Sequence, residues 1–124
     1  MEIYIDNQFM LVSKESETIT LRWKKDTANF SDEIFKTEAL KFLEIVKKYH
    51  CKRIVVDMRE FFYTLGQELT EWRNKTIISV YNEIGVEKFA FITTKPTVQQ
   101  DNPANTFITQ YFSTEEQAKA WINV

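Results

Sequence analysis

The sequence predicts an α/β domain: a single mixed β-sheet with an antiparallel N-terminal hairpin, then βαβ units, with three to four helices in all. Three observations carry that expectation. Residues 3–23 alternate apolar and polar side chains, and from residue 31 the apolar spacing changes to three and four. Two short apolar runs, Ile54-Val55-Val56 and Phe89-Ala90-Phe91-Ile92, then stand on either side of a second helical stretch. A period of two lays one face of a strand on a core, and a period near 3.6 does the same for a helix.

In chain order, Ile3 and Ile5 alternate with polar neighbours, and Asp6-Asn7 is turn chemistry. Phe9 to Val12 is a short apolar run, and Ile19, Leu21 and Trp23 alternate with Thr18, Thr20 and Arg22. Two or three antiparallel strands follow from that pattern. A helix is expected over 31–49. Ser31 or Asn29 can accept from its first N–H groups, and Asp32-Glu33 places negative charge at its positive end. Phe35, Ala39, Phe42, Leu43, Val46 and Tyr49 form its apolar stripe, widened by Ile34 and Ile45, while Glu44 and Lys48 are spaced to pair on the other side.

Arg53 to Asp57 reads as a strand buried on both faces. A second helix is expected over 67–84, through Leu69, Trp72, Thr76, Ile77, Val80 and Ile84, closed by Gly85 in a left-handed cap. With the strand Phe89–Thr93 this makes a parallel, right-handed βαβ unit. Residues 94–106 are polar and contain both prolines, Pro96 and Pro103, predicting a loop or a broken helix. Ile108 to Phe112 reads as the last strand. Ser113 and Glu116 form a capping box for a last helix that buries Ala118, Trp121 and Ile122.

Composition narrows the function classes. A length of 124 residues fits one domain, and an aromatic content of 15% supplies a core. The 16 basic and 18 acidic residues are mixed along the chain, without the basic footprint that nucleic acid requires. Met1 to Asp6 carries acid where a secretion signal needs Lys or Arg, and no apolar stretch approaches the ~18–20 residues that span a bilayer. Cys51 is the only cysteine, which excludes an internal disulfide. A cytoplasmic protein without membrane insertion is the expectation.

The run Ile54-Val55-Val56-Asp57-Met58-Arg59-Glu60-Phe61 resembles a strand of STAS and SpoIIAA-like proteins, in which apolar residues precede Asp-Leu-Arg and an aromatic. Phe89 to Thr93 followed by Lys95-Pro96-Thr97-Val98 is similar to their next strand and its Pro-Val helix start. Tyr111 to Ile122 resembles their C-terminal strand and acidic, Ala- and Trp-bearing helix. The resemblance spans nearly the whole chain. It implies a SpoIIAA-like fold and a non-catalytic regulatory or protein-interaction module, with a protein partner or self-association. These folds are related to CRAL-TRIO-type lipid-binding domains, so a carrier of a small apolar molecule or lipid is the alternative, with a pocket expected beneath residues 94–106. The chain departs from the phospho-regulated members. Their Asp-Ser-Ser-Gly turn is replaced by Phe62-Tyr63-Thr64-Leu65-Gly66, so Thr64 is not expected to be a phosphoacceptor.

Few residues offer chemistry. Asp57 ends a buried strand, where open α/β sheets gather ligands. With Arg59 it could bind a polar ligand or anchor an enzyme of unknown type; equally, it could accept backbone N–H bonds or pair with an arginine. Phe61, Phe62 and Tyr63 cannot all face one core, so at least one is expected at a partner or apolar-ligand surface, unless both strand faces are covered. Thr93, Thr94 and Lys95, after a buried strand, could contact an anion, although Gly66 and Gly85 alone cannot build a phosphate loop. His50 and Cys51 are adjacent and lack the further ligands a metal site needs, so His50 is read as a helix C-terminal residue. No cofactor and no metal are expected.

Overall fold

Asn7 makes the first reversal of the chain. Its side-chain oxygen accepts from the backbone N–H groups of Phe9 and Met10, each at 2.9 Å, turning Glu2–Asp6 (β1) into Met10–Glu15 (β2). Ser16, with a left-handed φ of 57°, turns β2 into Thr18–Trp23 (β3). These three strands pair antiparallel, so the upper of the two strand numbers expected holds. The computed structural model describes residues 1–94 and 104–124. Among them, six strands form one mixed sheet whose spatial order is the chain order. Arg53–Asp57 (β4), Lys88–Ile92 (β5) and Ile108–Phe112 (β6) extend β3 in parallel.

The helix Asp32–Tyr49 (α1) begins as its sequence dictates, with the Ser31 hydroxyl accepting from the Ile34 N–H at 3.2 Å. It ends at His50, whose left-handed backbone turns the chain toward β4. Glu44 pairs with Lys47 at 3.6 Å rather than with Lys48, because the Lys48 ammonium lies over the Tyr49 ring, 5.4 Å from its centre. A 3₁₀ turn, Lys25–Asn29, precedes α1.

The second helical stretch runs as expected from residue 67 to 84 but contains a wide turn. Gln67–Arg73 (α2) passes through a π-helical segment, Asn74–Ile78, into Ser79–Ile84 (α3), which Gly85 closes at φ 78°. A π turn carries one residue more than an α turn and shifts the downstream face by one position. The buried residues are therefore Leu69, Ile77 and Tyr81, whereas the expected Trp72, Thr76, Val80 and Ile84 are only half-buried.

Two cores flank the sheet. On one face Leu21, Ile54, Val56 and Phe89 pack with α1, α2 and α3. On the other, Val55, Ala90 and Ile92 pack against Ala118 and Ile122 of Glu115–Ile122 (α4). The α4 cap lies one residue later than expected: the Thr114 hydroxyl accepts from the Gln117 N–H at 3.2 Å, and Gln117 Oε1 accepts from the Ser113 N–H at 3.3 Å. Gln117 takes the role expected of Glu116, which stays exposed. Trp121 is half-buried instead of buried. Ala118 and Ile122, four apart, already occupy the line facing the sheet, so Trp121 sits at the flank. There it lies against Phe112, with centroids 5.7 Å apart, under the ammonium of Lys88 at 5.0 Å. No helix among the described residues is long and apolar enough to cross a membrane.

Candidate ligand-binding cavity

A cavity of about 390 Å³ opens between the sheet and the layer formed by α1, α2 and α3. Its floor is the alternate-residue face of three parallel strands: Leu21 and Trp23, Val56, and Phe89 and Phe91. Phe35, Ala39 and Phe42 of α1 form one wall, and Thr70, Arg73, Ile77 and Tyr81 form the other. Met58, Phe61 and Thr93 bring it to the carboxyl end of the parallel strands, the end at which open α/β sheets collect ligands. Its volume lies within the range of small-molecule sites.

The segment after β4 is held so that one of its aromatics closes the cavity. Met58 N–H donates to the Ile92 carbonyl at 2.8 Å. Thr27, fully buried, bonds both ways: its hydroxyl donates to the Glu60 carbonyl at 3.1 Å and accepts from the Phe62 N–H at 2.8 Å. Phe61 is thereby turned inward against Trp23, at 5.2 Å, and Phe30 and Phe35 beyond it. Tyr63 packs edge-on against Phe30 at 5.9 Å and donates its hydroxyl to Asp32. Phe62 points away and is 55% exposed. The alternation expected of these aromatics is present, and only one of them lies outside.

Arg73 is the cation of the cavity wall. It is half-buried and makes no hydrogen bond or ion pair with any described residue; among the described residues the phenols of Tyr81 and Tyr111 act on its charge. Burial pushes its pKa below the ordinary arginine value, with the two phenols acting in the opposite sense. Burial raises the Tyr81 phenol well above its ordinary range, with Arg73 pulling the other way. The wide turn that follows Arg73 aligns this wall. Residues four apart drift about 40° on an α-helix, and a wider turn reverses that drift. Arg73, Ile77 and Tyr81 consequently all reach the same space.

Asp57 and Arg59 are brought together but stand apart from the cavity, whose lining includes neither of them. Arg59 Nε and Nη2 donate to the two oxygens of the Asp57 carboxylate, and the Arg59 N–H donates to Oδ1 at 3.0 Å. Both structural roles weighed for Asp57 are realised. Side chains alternate along β4, so Asp57 lies on the α4 side with Val55, while Val56 and Met58 face the cavity. Thr64 and Thr94 are exposed and line no part of it, and Lys95 lies outside the described residues. So does most of the 94–106 segment beneath which a pocket was expected. Cys51 is buried, which pushes its thiol pKa up, and His50 is exposed beside it. Among the described residues no cluster of three or more potential metal ligands occurs.

Of the described candidate residues read from the sequence, Phe61 and Thr93 reach the cavity. Arg73 was missed, although a signal existed: it is the one charge in the four-spaced row Leu69, Arg73, Ile77, Tyr81. Compared with known proteins, the chain matches no family model, no curated protein and no solved structure.

Proposed function

We propose that this protein is a non-catalytic binding module that holds a small, largely apolar molecule between its sheet and the helices α1 to α3. What carries the reading is the cavity itself: about 390 Å³, floored and walled mainly by aromatic and aliphatic side chains, at the carboxyl end of a parallel sheet. A well-packed interior leaves few voids larger than a water molecule. Space on this scale inside so small a domain costs stability unless something occupies it. The likeness of the sequence to SpoIIAA-like proteins, whose folds are related to lipid-binding domains, points the same way.

Asp57 supports a non-catalytic reading, since both its oxygens are engaged by Arg59. The regulatory, partner-binding role implied by the STAS-like resemblance has the exposed Phe62 behind it and stands as the second proposal. Native mass spectrometry of freshly purified protein tests the first. The expected result is a small-molecule adduct retained under gentle ionisation and lost on denaturation, or uptake of an added apolar fluorophore that Ala39→Phe diminishes by filling the cavity. Bare protein that takes up no apolar molecule while folded would exclude the carrier reading.

A further inference from the structure

The chemistry of the cavity also bears on which apolar molecule it takes. Arg73 is a permanent cation at protein pH, and it stands half-buried in a mainly apolar wall, where a charge is costly unless it is paired. Among the described residues no carboxylate is paired with it. A methionine or leucine at position 73 would continue the stripe of Leu69 and Ile77 without that cost. The guanidinium therefore has donors that no described residue uses. The site is otherwise built mainly from rings and aliphatic side chains, with Thr70 and Thr93 its only aliphatic hydroxyls among the described residues. Near it stand the phenols of Tyr81 and Tyr111, and Tyr81 remains a neutral hydroxyl because burial disfavours its anion. A neutral phenol can donate a hydrogen bond to an anion held by the arginine.

Resting on the binding reading above, we propose that the ligand is an amphipathic carboxylate, with its apolar body against Phe35, Phe42, Phe89 and Phe91 and its head on the Arg73 guanidinium. The planar fork of arginine matches both oxygens of a carboxylate, and charge-assisted pairs of this kind are the strong ones. The aromatic floor suits an alkyl chain or a ring, and its area sets the size of the body.

Decanoate and decanol, which share a chain and differ in the head, separate this inference from the reading beneath it. Titrated by calorimetry into the wild-type protein, decanoate is expected to bind on the order of tenfold or more tighter than decanol. Arg73→Met should abolish that preference while keeping decanol binding, and Arg73→Lys should keep part of it. Thermal melts of the ligand-free variants guard against misfolding. Arg73→Met should melt at or above the wild-type temperature, whereas an arginine needed for the fold would make it melt lower. Equal binding of acid and alcohol, or a preference that survives Arg73→Met, would overturn the carboxylate assignment and leave the cavity reading intact. Failure of both probes to bind would remove both. As an independent readout, the isotope-labelled carboxyl carbon of bound decanoate, followed by NMR against pH, should titrate below the unbound acid; titration like the unbound acid would also sink the pairing.

Discussion

Arg59 turns back on Asp57, two residues earlier, and holds both carboxylate oxygens: Nε donates to Oδ1 at 3.0 Å and Nη2 to Oδ2 at 2.6 Å. The pair closes the turn that leaves β4, with the Arg59 backbone N–H also donating to Oδ1. The carboxylate is buried and the guanidinium partly in water, so the two partners are unequal. Asp57→Ala should cost about 2 kcal/mol, since it frees a partly buried N–H as well as the arginine. Arg59→Lys should recover only part of the pair, because an ammonium cannot fork. Urea midpoints check both. An Asp57→Ala midpoint equal to the parent would mean that the turn is set by backbone bonds alone.

Thr27 governs the cavity from outside it. Its hydroxyl serves the Glu60 carbonyl and the Phe62 N–H, the two groups on either side of Phe61. Thr27→Val keeps the shape of the side chain and removes both bonds, and it should cost ~1–3 kcal/mol for the buried polar groups left without partners. Phe61 should then become mobile, and apolar-ligand binding should weaken with it. Proton line widths of the Phe61 ring and a binding titration measure the two effects. An unchanged ring and affinity would show that Trp23 and Phe30 suffice to fix Phe61.

Alkaline pH should destabilise the fold. Cys51 has its pKa raised above the ordinary 9.0 and Tyr81 above 10.0, both mainly by burial. The folded state therefore keeps protons that the unfolded chain releases, and the unfolded state gains as pH rises. Their contribution is full below about pH 8 and declines above about pH 9, by up to ~1.4 kcal/mol per pH unit for each group. Chemical denaturation between neutral pH and about pH 10.5 should show falling midpoints, with an earlier onset in the parent than in Cys51→Ala. Superimposable pH profiles for the two would mean that the thiol ionises without opening the core.

The last helix ranks its own substitutions. Ile122 is fully buried against Val55, Ala90 and Ile92, so Ile122→Ala should cost ~2–5 kcal/mol. Trp121→Ala should cost less, about 1–2 kcal/mol, since it forfeits one ring contact with Phe112 and partial burial. Thr114→Ala removes the cap and should cost ~1 kcal/mol. Guanidinium melts order the three. Trp121→Ala as the most damaging of them would mean that the tryptophan carries the packing of α4 after all.

Strands and helices were legible where one periodicity runs unbroken. The alternation in 18–23, the β-branched run 53–57 and the stripe of α1 each specify a buried face with little dependence on distant residues. The π turn was not legible, because its one-residue shift is set by what α2 and α3 pack against, and the chain shows only two overlapping stripes there. The cap of α4 was misplaced by one residue for a related reason. Ser113 and Thr114 are both good caps, as are Glu116 and Gln117 as their partners, and packing of Ala118 chose between them. The lining of the cavity was beyond reach of the sequence. A void is a shortfall of volume among residues far apart in the chain, and no local pattern encodes it.

Because the six strands lie side by side in the order in which they are made, the sheet can grow by accretion. Hairpin closure brings β1, β2 and β3 together first, the cheapest entropic step. Each later strand then adds to the open edge left by its predecessor, β4 after α1 has formed and β5 after α2 and α3. No strand must be threaded between two already paired, so contacts of long sequence separation are kept few for a parallel sheet, a condition that favours rapid folding. On a ribosome the same order lets the sheet assemble as the chain emerges. The cost is a temporary unpaired edge at every stage, first β3, then β4, then β5, each a template for mispairing until its neighbour arrives.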